Sequence, residues 1–151
     1  MTTVILRFIN ILMAGLIAGT LFGIWIGFNP RVLSAQTYVE QQQGAIKALN
    51  VLMPLLGLAT IILTVIVAIL QKQNGPVFVT LLIAAGFLII SGIITKFGNQ
   101  PINSIVITWN KMDVPNNWTE LRDKWWSFHR LRAVTALIAF CLIIWAGMRH
   151  D

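Results

Sequence analysis

Acidic residues are scarce in this sequence: 5 Asp and Glu stand against 11 Lys and Arg in 151 residues. Charged residues of both signs make up 11% of the chain, where a soluble domain carries roughly a quarter. Too few polar groups remain to cover a water-facing surface, which leaves lipid as the solvent that fits. The single cysteine, Cys141, excludes an intrachain disulfide and a Cys-based metal site; placed inside an apolar run, it reads as a small buried side chain. Histidine is nearly absent as well. His129 lies away from the C-terminal tail and His150 within it, so a multi-His metal site is not expected, and no Glu-x-x-His spacing supports a di-iron bundle. Repeats of solenoid period and low-complexity segments are missing. The net charge of +6 does not point to nucleic acid, because the basic residues flank apolar runs instead of forming a patch on a soluble face.

What is abundant is apolar sequence, 57% of residues, gathered into four runs. Val4 to Phe28 is broken only by Arg7 and Asn10. It is too long for a signal-peptide core of roughly 7–15 residues, and Asn29-Pro30 ends it, since proline disfavours helix in the residue before it. Residues 31–49 are mixed and read as an extramembrane segment, a short helix lying on the bilayer. Val51 to Leu70 follows, with Asn50 as N-cap and Pro54 near the first turn. Gln71–Gly75 is a tight polar turn, and Pro76 opens the third run, which ends at Ile94. The fourth, Ala133 to Met148, is short for a span of about 20 residues. A helix starting at Trp118 solves this, with Asn117 as N-cap and Glu120 completing a capping box, and Trp125, Trp126 and Phe128 at the interface.

The expected fold is therefore all-α: one domain over residues 1–151, a four-helix transmembrane bundle with spans near 4–28, 51–71, 76–96 and 130–148. A long extramembrane connection joins the third and fourth helices. Both termini share one side. Arg31, Lys47, Lys96, Lys111, Arg122, Lys124, Arg130 and Arg132 lie with the long connection, which the positive-inside rule places in the cytoplasm. The expected location is the plasma membrane, crossed several times, with the lipid bilayer as a partner.

Three features bear on chemistry. Gly15, Gly19, Gly23 and Gly27 recur every fourth residue in the first helix, beside Ala14 and Ala18. Such spacing favours close helix packing and would equally make a flat wall for a planar ligand. Pro101 suits the start of a short helix capped from Asn99 or Gln100, which would hold Asn103, Ile107 and Asn110 on one side. Asparagine is a poor choice inside a helix unless its amide has a partner. Finally, Trp118, Arg122, Trp125, His129 and Arg132 follow steps of 4, 3, 4 and 3, so a helix places them on one stripe, continued by Ala136. An interfacial helix with lipid-bound arginines has the same pattern; a polar pocket with an imidazole base is the other reading.

The stretch Asn99-Gln100-Pro101-Ile102-Asn103, followed by Trp109, Pro115, Trp118, Leu121-Arg122, Trp125, His129 and Arg132, resembles the signature of the anthrone oxygenase-like family of small four-helix membrane proteins. The Ala14-Gly15 and Ala18-Gly19 pairs and the Asn29-Pro30 helix end resemble it too. The family often has His before this proline, and Asn29 departs from that. The likeness runs over nearly the whole chain, but its specific part is residues 99–132. It implies an oxygenase that turns an anthrone into an anthraquinone with O2 as co-substrate and no metal or flavin. Under that resemblance His129 is the base, and Arg132, Asn103 and Arg122 are donors to the enolate oxygen. Asn99, Trp109, Trp118 and Trp125 join the substrate site, with Gly19 and Gly23 as the facing wall.

Two other functions fit the same residues. A non-catalytic membrane protein could hold a quinone, a haem or a lipid in that pocket. An assembly subunit, or a homo-oligomer, could use the glycine face to dock a helix. Light absorption separates these: a Soret band means haem, ultraviolet quinone bands a bound quinone, and a colourless protein that consumes O2 with an anthrone means the oxygenase.

Overall fold

Backbone in lipid must satisfy its own N–H and C=O groups, so long apolar runs become helices. The computed structural model describes residues 2–149. It contains α1 (Thr2–Gly27), α2 (Ala35–Leu49), α3 (Leu52–Leu70), α4 (Gly75–Ile94), α5 (Gln100–Val106) and α6 (Trp118–Met148), with a 3-10 turn at Pro30–Val32 and a π turn at Thr95–Asn99. Four helical segments are long and apolar enough to cross a membrane: Thr3–Val32, Leu52–Leu70, Gly75–Val106 and Trp118–Met148. In the bundle α6 packs on α4 and α1, and α3 packs on the same two helices. Large apolar side chains such as Phe8, Leu12, Leu16, Ile62, Ile83 and Ile138 point outward, as a lipid-facing surface requires.

Near the termini the core is built from small residues. Ala14, Ala68, Ala84, Ala139 and Ala146 join Val67, Val77, Leu81, Leu88 and Ile143, and their size lets helices approach closely. Within this apolar half Thr64 Oγ1 donates to Asn10 Oδ1 at 2.8 Å, tying α3 to α1. The other end is aromatic: Tyr38, Val39, Ile46, Ile102, Val106, Trp125 and Trp126 form a second cluster under α2 and α5.

Four local expectations are corrected. The third span does not stop at 96 but continues through the π turn into α5. The connection to α6 is therefore only the segment 107–117. Pro101 explains the π turn: it lacks an N–H, and its ring would clash with the carbonyl four residues back. The chain widens just before it, and the Gln100 N–H bonds to the Thr95 carbonyl, five residues back. Asn99 is thus in helical conformation with no side-chain cap bond. Secondly, Asn110 lies beyond the end of α5 in a turn bridged to Asp113, so it does not share a helix face with Asn103.

Thirdly, neither expected cap forms. Asn50 closes α2 instead of opening α3, its N–H bonding to the Ile46 carbonyl. Asn117 precedes α6 without a side-chain bond; the N–H groups of Trp118 and Glu120 go to the carbonyls of Pro115 and Asn117. Lastly, Cys141 is exposed on α6, because it faces away from the Ala139 and Ile143 side that meets the core.

Candidate functional site

The α2 helix starts from Ser34, whose Oγ accepts the Thr37 N–H. It buries Tyr38, Val39, Gln42 and Ile46 against α5 and the start of α6. One residue of this buried face is an amide, and amides buried in such a place need partners. Gln42 Nε2 donates to Asn103 Oδ1 at 3.3 Å. The same oxygen accepts Trp125 Nε1–H at 2.9 Å, and Asn103 Nδ2 donates to Asn50 Oδ1 at 2.8 Å. Asn103 therefore joins α2, the α2–α3 junction, α5 and α6. Beside it, Gln42 Oε1 is buried with no protein partner.

These groups edge a cavity of about 370 Å³. Its walls come from the end of α1 (Leu21, Ile24) and Phe28 just after it, from α2, from Met53 and Pro54, and from Trp125; Asn103, Gln42, Thr95 and Arg132 supply polar atoms. None of the described residues lining it is Asp or Glu.

Arg132 enters this space in a fixed pose. Its Nη1 donates to Thr95 Oγ1 at 3.3 Å, while Nη2 and Nε approach His129 Nδ1 at 3.0 and 3.3 Å. The guanidinium also lies 6.0 Å from the Trp125 ring centroid. His129 is fully buried, and its Nε2 lies 3.1 Å from the Leu21 carbonyl. A carbonyl only accepts and a guanidinium only donates, so the ring is the neutral tautomer with the hydrogen on Nε2. It stacks against Trp125 and Trp126, with centroids at 5.1 and 5.6 Å. Both ring nitrogens are engaged and neither faces the cavity.

The structure thus brings Asn103, Trp125 and Arg132 to one cavity wall, with His129 behind Arg132. Asn99 stands behind Trp125: its Nδ2 donates to the Trp125 carbonyl at 3.0 Å, and its Oδ1 is buried unpartnered. Trp118 and Arg122 do not reach the cavity. Trp118 packs on Tyr38 at 5.7 Å, and Arg122 covers Trp118 at 4.9 Å while bonding Asp123 at 3.0 Å. The reason is length: a stripe from 118 to 132 extends roughly 21 Å along a helix, more than one small cavity takes in. Trp109 sits farther out, its carbonyl accepting Gln43 Nε2 at 2.9 Å. On this outer side burial raises the Tyr38 phenol above its ordinary pKa, and its hydroxyl has no partner.

The glycine wall is corrected too. Gly19, Gly23 and Gly27 are exposed and do not line the cavity; a Cβ at any of them would meet nothing within 4 Å, and only Gly15 of the four meets a neighbour, the Phe140 ring at 3.2 Å. Steps of four residues drift by about 40° each on a helix of 3.6 residues per turn, so the stripe walks off the packed face. Ala14, Ile17, Ala18 and Leu21 carry that face instead. Sequence reasoning missed Gln42, Asn50 and Thr95. The Gln41-Gln42-Gln43 run was the signal for the first, since a buried helix face with an amide needs a partner.

Among the described residues no three His, Cys, Asp or Glu side chains gather where they could hold a metal ion. No curated protein and no solved structure matches the chain significantly. A family model described as anthrone oxygenase matches residues 43–142, from just after Gln42 in α2 into the last third of α6, and the chain belongs to the anthrone oxygenase family.

Proposed function

We propose that the protein is a small membrane oxygenase that oxidises a planar, lipid-soluble phenol, quinol or anthrone with O2, using no further cofactor. One observation carries this: a guanidinium held by Thr95 and His129 at the wall of an otherwise largely apolar cavity. Such a group favours an oxyanion beside it, and it does so strongly where water is scarce.

The chemistry follows for an anthrone. Loss of a methylene proton gives a delocalised enolate, whose oxygen Arg132 stabilises. The proton leaves to water at the cavity mouth. The enolate passes one electron to O2; the carbon radical and superoxide combine to a peroxide anion, which takes back a proton from water to give the hydroperoxide; loss of water leaves a new carbonyl. One O2 is consumed and one water formed for each CH2 converted to C=O. Trp125 offers a face for stacking, and Gln42 Oε1 accepts a phenolic O–H. Asn103 sets the positions of Gln42, Asn50 and Trp125. His129 is a positioning residue here, holding Arg132 from behind, because its nitrogens are already committed.

The test is O2 uptake by purified protein in detergent with an added anthrone. Wild type should exceed the protein-free rate, and Arg132→Lys should lose about 10²–10³-fold, since an ammonium cannot reproduce the planar fork. Uptake no faster than the protein-free control, or equal rates for the two proteins, would overturn the proposal.

A further inference from the structure

A second cavity of about 390 Å³ adjoins the first, sharing Leu21, Met53, Pro54, Thr95 and Arg132 with it. It runs between α1, α3 and α4, and apart from the residues near Thr95 its walls are apolar, with Ile17, Ile61 and Leu88 among them. Gly57 on α3 and Gly92 on α4 both line it, and a Cβ on either would meet nothing within 4 Å. A glycine inside a helix weakens that helix and contributes no packing. Two of them on neighbouring helices keep open a space that larger side chains would fill. Leu58 and Gly92 are exposed, so the space opens on the lipid-facing surface.

We propose that the second cavity seats an alkyl or prenyl chain attached to the ring that occupies the first, so that the substrates are long-chain phenols or quinols. This rests on the oxygenase site proposed above. The two cavities meet at Arg132 and Thr95, which line both, and this suits one ligand reaching into both: the polar ring meets Arg132 at the junction, and the chain runs on from it along α3 and α4. A bilayer acyl chain could fill the same groove, and the experiment separates the two sources.

Two benzoquinones serve as probes, one with a decyl chain and one with methyl in its place, their binding followed by quenching of tryptophan fluorescence. Comparing each variant with wild type cancels partition of the probes into detergent. Gly57→Phe and Gly92→Phe should each lower the preference for decyl over methyl by about tenfold. An unchanged preference would overturn the proposal. Should neither variant fold, a decyl probe with a terminal diazirine is photolysed on wild-type protein. Label on Gly57–Ile61 or Leu88–Gly92, displaced by excess methyl probe, supports the proposal. Label on outward residues such as Leu55 and Ile66, or label that the methyl probe does not displace, contradicts it. Failure of the methyl probe to bind at all would remove the first-cavity site, and this proposal with it.

Discussion

Arg132 holds a charge where the bilayer makes charges costly, and the chain spends Thr95, His129 and Trp125 on fixing it. That Arg132 and Trp125 share a face was legible in the stripe, and Asn103 stands out as an amide inside the short helix after Pro101; the structure puts all three at the cavity wall. The division of labour was not legible. Spacing on a helix says which side chains share a face, but not what each ring nitrogen meets, and the Leu21 carbonyl that takes His129 Nε2 lies 108 residues away in sequence. The conspicuous stripe of α1 is mostly open, whereas Gly98, alone in the π turn, is closely covered: a Cβ there would lie 2.7 Å from Phe128 Cγ and 2.9 Å from Cδ1. Gly98→Ala should therefore reduce thermal stability in detergent, by roughly 1–3 kcal/mol as for overpacking, while Gly19→Ala should cost nothing and, by helix propensity, can gain up to about 1 kcal/mol. Equal stability of the two variants would contradict the packing described around the π turn.

At the scale of elements, the spans of α1, α3 and α6 follow directly from run length and hydropathy, because lipid leaves the backbone little choice. What could not be read was the junction of α4 and α5. Proline usually signals a break, yet here the chain keeps its helical direction and widens into a π turn before Pro101. That insertion decides where Asn103 points: removing one residue's worth of helical rotation would turn α5 by about 100°. Pro101→Ala restores an N–H and removes the clash, so the π turn can relax to α-helix. The variant should lose O2 uptake with an anthrone as Asn103 leaves the Gln42, Asn50 and Trp125 network, and the gain in helix stability is offset by the buried amides left unpaired. Unaltered uptake would show that the π turn does not set the site. Turn chemistry misled in the same way at Asn50 and Asn117, where tertiary partners and backbone bonds replace the expected side-chain caps.

For the whole molecule, the two ends of the bundle differ in kind. The terminal half is a tight alanine-rich core, and the opposite half is aromatic, amide-lined and hollow. Low charge, four apolar runs and the 99–132 motif made the membrane bundle and its family readable. The cavities were not, since they arise from what α2, α3 and the π turn leave unfilled. Among the basic residues of this half, Arg132 bonds His129, and Arg31, Arg122 and Lys111 pair with carboxylates of the protein, so the positive-inside inference leans on Lys47, Lys96, Lys124 and Arg130. The central claim is that Arg132 stabilises an oxyanion in the first cavity, and ionisation of a bound hydroxyanthraquinone tests it most directly. The visible band of such a dye moves to the red when its hydroxyl loses a proton. A cation beside the hydroxyl favours the anion, so the bound dye should ionise at lower pH than the detergent-solubilised free dye, and Arg132→Gln should abolish that shift. A bound dye that ionises at the same or higher pH than the free one, or a shift that survives Arg132→Gln, would contradict the account.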